Sequence, residues 1–252
     1  MIGVGLNVGN LPVTEVYVGS TPVQAVYVGA KMVWSAVKEV VQITLGTGTQ
    51  ASDQLRAELA DRGMHYLEVE EIPFEIELVG SGSARQMFMD YSSLTSVPAM
   101  NTGNVTDMNE IFYGCRALTS VPEMDTSNVT DMSRAFSDCE SLTHAPDMET
   151  SSVTNMFSLF SNCSALTHVP DMDTSSATSM RNMFGGCELL TTVPDMDTSN
   201  VTDASYMLYD CSALTDGNVR LIGRNPSVVT EDMIVGSGLT RDPFYDADGN
   251  PI

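Results

Sequence analysis

The hydrophobic positions between residues 84 and 217 fall into columns spaced 24 residues apart. Leu94, Leu118, Leu142, Leu166, Leu190 and Leu214 form one column, and Phe88, Phe112, Phe136, Phe160 and Phe184, continued by Leu208, form a second. Cys115, Cys139, Cys163, Cys187 and Cys211 form a third, and Pro98, Pro122, Pro146, Pro170 and Pro194 a fourth. Twelve of the 17 Met residues sit in three further columns, around Met108, Met124 and Met183. A fixed period of this size predicts a solenoid, in which each coil buries its apolar side chains only by stacking on its neighbours.

One period, from Leu118, reads LTSVPEMDTSNVTDMSRAFSDCES. Val129, Met132, Phe136 and Cys139 are spaced 3, 4 and 3, an apolar stripe of helical period. The residue before each Cys is Gly114, Asp138, Asn162, Gly186 or Asp210, types that tolerate a left-handed backbone, so the helix is expected to stop there after about two turns. Thr106, Thr130, Thr154, Thr178 and Thr202 are placed to cap its start. The residue after each (Asp107, Asp131, Asn155, Ser179 or Asp203) faces its positive end. The LTSV portion predicts a strand of two to four residues, cut short by the proline that follows, which lacks a ladder donor. The expectation is an α+β solenoid of coils that each hold a short strand and a short helix.

The phrases Leu118-Thr119-Ser120-Val121-Pro122, Met124 to Met132 and Met183-Phe184-Gly185-Gly186-Cys187 resemble the BspA-like leucine-rich repeat, over about residues 84–217. That resemblance implies the repeat architecture and an association with adhesion, without specifying a ligand. The chain departs from the pattern at Ala135, Leu159 and Ala204, all core positions.

Outside the repeat, Pro12 to Gly19 (PVTEVYVG) recurs ten residues later as Pro22 to Gly29 (PVQAVYVG), followed by Met32-Val33-Trp34. Val-rich runs separated by GSTP and GAK predict a small antiparallel meander over 1–38, marginal alone and in want of a partner. This segment resembles the N-terminal part of siphophage minor tail proteins, which implies an attachment role for Val16, Tyr17, Val18, Val26, Tyr27, Val28 and Trp34. Residues 39–80 read as a strand–helix–strand cap: a strand over Val40–Leu45, a helix capped by Ser52 and stopped by Gly63, then extended runs at Tyr66–Val69 and Ile72–Val79. Gly80-Ser81-Gly82-Ser83 reads as a linker. Residues 218–252, where the period fails, read as a C-terminal cap with short helices near Val219–Ile222 and Val228–Val235.

Charge sharpens this picture. The 252 residues carry a formal charge of −22, which argues against nucleic-acid and anionic-membrane partners. No run approaches the ~20 apolar residues of a membrane span, and the first residues lack the features of a secretory leader. Residues 1–38 hold one acid and both lysines, whereas 84–215 hold seventeen acids and four arginines. Eight of those acids recur as pairs around an inward Met: Glu123 and Asp125, Asp147 and Glu149, Asp171 and Asp173, Asp195 and Asp197. Two apart on an extended segment they share a face. They read either as a solubilising face bonding its own turns or as a patch for calcium or a cationic partner.

The five Cys share one core stripe and read as buried reduced thiols, not as disulfides or a zinc site. His144 and His168 read as neighbouring surface residues. Asp246-Ala247-Asp248-Gly249-Asn250 has the acid spacing of an EF-hand start, but its Gly comes fourth and no Glu follows, so it reads as a turn. No nucleophile, phosphate-loop or metalloprotease motif occurs, so neither an enzyme nor a resident cofactor is expected. The functional expectation is a virion structural protein of the phage tail. It would be anchored to other tail proteins by 1–38, trimeric by tail symmetry, and would display its coils to a host-surface glycan or protein. The alternatives are a bacterial surface adhesin and, more distantly, a glycan-acting enzyme.

Overall fold

The computed structural model describes residues 16–18, 21–23, 26–28, 31–33, 40–246 and 250–252. Strands β1 (Val16–Val18) and β2 (Thr21–Val23) pair antiparallel with Val18 opposite Thr21. Strands β3 (Val26–Val28) and β4 (Lys31–Val33) repeat the arrangement with Val28 opposite Lys31. Among the described residues these are two separate pairs, not one continuous meander. Trp34 lies outside the described residues.

Strand β5 (Val40–Thr44) and β6 (Glu75–Val79) run parallel, joined through helix α1 (Gln50–Asp61). Parallel neighbours need such a crossover. Val41 and Ile43 of β5, Ile76 of β6 and Leu55 and Leu59 of α1 are buried together. The helix starts before its expected cap: Thr49 precedes its first residue, and Ser52 lies inside it, buried. Gly63 ends it as expected, with a left-handed backbone (φ 71°). Tyr66–Val69 is not a strand. It forms turns that lie on the first coil, where Ser93 Oγ donates to the Leu67 carbonyl (2.7 Å) and Thr95 N–H to that of Glu70 (2.9 Å).

Gly80–Ser83 is not a free linker either. Strand β7 (Gly82–Ser83) pairs parallel with β8 (Val105–Asp107), and Ser83 also bridges to Gly46. Gly82 has φ 143°, and a Cβ there would overlap the Gly46 carbonyl oxygen, so two glycine backbones lie against each other.

The repeats stack in register, but each coil is built differently from the expectation. No helix forms along Val129–Cys139. From Met132 onward the N–H groups alternate between two destinations. Those of Ala135, Ser137 and Cys139 bond carbonyls three residues back (3.0–3.2 Å), and those of Met132, Arg134, Phe136 and Asp138 bond carbonyls of the next coil (2.8–3.1 Å). An α-helix would send all of them four residues back. Arg134 and Asp138 both adopt left-handed backbone (φ 55° and 61°), through which a helix does not run. Glu110 and Gly114, Ser158 and Asn162, Asn182 and Gly186, and Tyr206 and Asp210 repeat the pair. The apolar stripe is nevertheless buried as read: Val129, Met132, Phe136 and Cys139 all lie in the core.

The Thr column does not cap a helix. Thr130, Thr154, Thr178 and Thr202 donate N–H to the equivalent Thr carbonyl of the preceding coil (2.9–3.0 Å). The turn is capped by the next residue instead. Asp107, Asp131, Asn155 and Asp203 accept the N–H two residues on with a side-chain oxygen (2.8–3.1 Å). These residues also form the parallel column, Asp107–Asp131–Asn155–Ser179–Asp203. LTSV makes no regular strand; only single contacts such as His144–His168 form there, beside the donor-less prolines.

The Phe column is a stack inside the coils. Rings of Phe88, Phe112, Phe136, Phe160 and Phe184 lie near-parallel at 5.3–5.8 Å between successive centroids. A second ladder is polar and buried. Thr102, Thr126, Thr150 and Thr174 each donate Oγ1 to a carbonyl 23 residues on, at 2.8–3.0 Å.

The described residues of the C-terminal region form no helix. Strand β10 (Leu221–Ile222) lies between β9 (Met196–Asp197) and β11 (Phe244–Tyr245), all parallel. Val228–Val235 forms a further coil: Ala204, Tyr206, Leu208 and Asp210 donate N–H to Val229, Glu231, Met233 and Val235 (2.8–2.9 Å). Asp232 and Gly236 take the left-handed places, 26 residues after Tyr206 and Asp210. Two extra residues put this coil out of phase with the columns. Asp246 and Asn250 bond across Ala247–Gly249, which lie outside the described residues.

Candidate functional site

The acidic pairs lie where the extended segment turns into the next stretch of the coil. Met124, Met148, Met172 and Met196 between them are buried, which puts both flanking carboxylates on the outside. Glu123, Asp125, Asp147, Glu149, Asp171, Asp173 and Asp195 are exposed, and Asp197 is half-buried.

The two columns differ in what they do. In the inner column Asp125, Glu149, Asp173 and Asp197 accept the N–H of Ser127, Ser151, Ser175 and Ser199 at 2.8–3.4 Å. Ser127 and Ser175 add a hydroxyl bond of 2.6 Å. Those hydroxyls, and then the N–H groups, hold the carboxyls of Asp125 and Asp173 below their ordinary 3.8. This column closes its own turns.

In the outer column Asp195 is paired with Arg220 (2.9 Å), while Glu123, Asp147 and Asp171 bond no protein group among the described residues. With Met124, Met148, Glu149 and Pro170 they line an open trough of about 500 Å³. Like charges along such a line repel, and the arrangement suits a cationic surface better than a single ion. Among the described residues no three His, Cys, Asp or Glu side chains converge as metal ligands, so the trough lacks the clustered oxygens calcium takes.

The Cys column is a row of five free, buried thiols. Each donates Sγ–H to a Phe carbonyl 27 residues back (Phe88, Phe112, Phe136, Phe160 and Phe184, 3.0–3.2 Å). Burial pushes all five thiols up, that of Cys211 to about 12. His144 and His168 are exposed neighbours, rings 6.5 Å apart. No helix among the described residues is long and apolar enough to cross a membrane.

One site went unread in the sequence. On the turn side of the coils Phe157, Arg181, Tyr206 and Tyr209 surround a second open groove, of about 460 Å³. These side chains occupy columns whose residue type changes from coil to coil, so no periodic signal marks them.

Comparison with known proteins places the fold in a family. The family model described as "Mycoplasma protein of unknown function, DUF285" matches residues 82–188 and 144–222, together more than half of the chain. The chain belongs to that family, and it is a BspA-like repeat protein. A crystal structure of a leucine-rich repeat protein from Bacteroides ovatus is similar at 15% identity, covering 88% of this chain and 58% of that one, with a TM-score of 0.44. This chain thus spans less than two thirds of that protein. No curated protein matches the sequence.

Proposed function

We propose that this chain is a surface-adhesion scaffold of the BspA-like class, which holds a cationic partner surface along the trough of Glu123, Asp147 and Asp171. The observation that carries this reading is the division of labour between the acidic columns. The inner one is consumed by its own turns, and the outer one stands exposed along three coils without a protein partner among the described residues. Family membership supports the adhesive reading over a tail-specific one. Contacts of this kind act through summed potential and weaken with salt. The test is flow cytometry of the labelled chain on bacterial and epithelial cells. Saturable binding that falls severalfold in the Glu123→Gln/Asp147→Asn/Asp171→Asn variant supports the reading. Binding that the triple variant retains at all salt concentrations sinks it.

The N-terminal repeat favours a second reading. Two equivalent antiparallel pairs, β1–β2 and β3–β4, suit an attachment module, and with the tail-protein resemblance they would fix the coils to a virion. Mass spectrometry of purified phage particles decides it, since absence of the chain from particles ends that reading.

A further inference from the structure

The groove on the turn side lies where one coil carries two adjacent glycines. Gly185 and Gly186 stand where the preceding coil has Ser161 and Asn162 and the following coil has Tyr209 and Asp210. All six line the groove. A Cβ at Gly185 would overlap Asn182 Oδ1, and one at Gly186 would lie 2.6 Å from Asn162 Oδ1. The two amide oxygens thus lie directly against the glycine backbones that line the groove.

The orientation of those amides follows from their partners. Asn162 donates its NH₂ to the Asp138 carboxylate (2.8 Å), and Asn182 donates to the hydroxyls of Ser158 and Ser161 (3.2 and 2.8 Å). A carboxylate only accepts, so it fixes the Asn162 NH₂ on the Asp138 side and leaves Oδ1 to the groove. No protein donor among the described residues reaches either oxygen. Tyr206 and Tyr209, ring centroids 5.8 Å apart and tilted by 62°, form one wall. The Arg181 guanidinium already lies over the Tyr206 ring at 5.2 Å.

We infer that this groove binds a neutral saccharide unit. Acceptors and donors both line it: the oxygens of Asn162 and Asn182 and the guanidinium of Arg181. Such a mixed set suits a ligand rich in hydroxyls, which both donate and accept. The tyrosine wall offers apolar area to a sugar's C–H face with polar tips at its edge. A cationic ligand is disfavoured because Arg181 occupies the cation position over Tyr206. The volume, about 460 Å³, falls within the ~300–1,000 Å³ of small-ligand clefts. The columns that build the groove are also those that do not repeat. Phe157 and Arg181 follow Asn109 and Ser133, and Asn182 and Tyr206 follow Glu110, Arg134 and Ser158, while the core columns hardly change. A face that served only the stack would repeat as the core does.

The test applies the full chain to an array of neutral glycans and measures any hit by saturation-transfer NMR and calorimetry, with a trilysine peptide as competitor. The expected result is binding of at least one neutral oligosaccharide, with transfer from tyrosine ring protons and no competition by the peptide. Gly185→Ala and Tyr209→Ala should each weaken it at least tenfold while melting within a few degrees of the parent. The triple variant of the acidic trough should bind the glycan unchanged, so this site and the trough stand or fall separately. The inference is overturned if no neutral glycan binds, if both groove variants bind as the parent does, or if the peptide displaces the glycan.

Discussion

At the scale of single residues, the columns do two kinds of work, and the polar ones are the less obvious. Thr150 is buried and its hydroxyl bonds the Asp173 carbonyl of the next coil at 2.9 Å. Thr150→Val keeps the shape and removes the donor, so an acceptor inside the coil loses its partner. The expected cost is about 1–3 kcal/mol in denaturant unfolding.

Glu110 makes a related link. It accepts from Gln86 and pairs with Arg134 at 2.9 Å, tying three coils together. Burial on its own would raise the Glu110 carboxyl, but the hydrogen bonds from Gln86 and Arg134 and the Arg134 charge outweigh it and hold the group below 4.5. A carboxyl lowered in the folded state contributes stability that is full above its unfolded value and lost as pH falls through its folded one. The difference in stability between the parent and Glu110→Gln should therefore be constant near neutrality and shrink below about pH 4.5, as read by urea titrations at successive pH values. The thiols were legible as buried from their shared stripe. Their bonds to Phe carbonyls were not, because the acceptor lies 27 residues back on another coil. All five should resist iodoacetamide in the native chain and react in urea, as counted by mass spectrometry.

At the scale of elements, the sequence pattern told which side chains face inward but not the backbone that brings them there. Spacing of 3, 4 and 3 fits a helix, and it equally fits overlapping turns with a left-handed residue every fourth position. One left-handed column was legible because Gly, Asp and Asn fill it. The other was not, since Gln86, Glu110, Arg134, Ser158, Asn182 and Tyr206 share no such preference. Alternation of donors also explains why the coils contain so little regular secondary structure and yet stack tightly. Between Met132 and Cys139 every second N–H finds its partner in the next coil.

The Phe stack is the apolar counterpart of that backbone ladder. Phe136→Ala leaves a void between two rings and should cost about 3–5 kcal/mol. Phe136→Leu, the residue that Leu208 already supplies at the end of the column, should cost markedly less; thermal melts of the two variants compare them directly. Gly82→Ala tests the junction before the first full coil. It forces a Cβ against the Gly46 carbonyl at an unfavourable φ, and should destabilise by more than the ~1–3 kcal/mol that a disfavoured backbone conformation costs by itself.

At the scale of the whole molecule, one core runs from Val41 through the coils to Phe244, so the strand–helix–strand unit and the C-terminal strands share it with the repeats. The boundaries near residues 80 and 217 that composition suggested are changes of sequence pattern and not gaps in packing. The final coil escaped notice because two added residues shift its phase while its hydrogen bonds continue the ladder.

A net charge of −22 on such a stack is self-repulsive, and melting temperature should rise between roughly 0.01 and 1 M NaCl as the screening length falls from about 30 to 3 Å. Calcium at about 1 mM should raise it no more than magnesium does, because the carboxylates lie in lines and do not cluster. A calcium-specific rise in calorimetry would show instead that the lines gather around an ion.

The alternating donors carry one last implication, concerning length. Every interface between the 24-residue coils repeats the same alternating ladder, so that ladder has no internal landmark that fixes how many coils it must contain. Excising Met132–Asn155 joins Asp131 to Met156 and offers each N–H of the coil before it an equivalent carbonyl, with Phe112 meeting Phe160. A chain that lacks this one coil should therefore still stack, as a single cooperative melt of the excised variant would show. The length of the stack is thus set by a number, the count of its repeats.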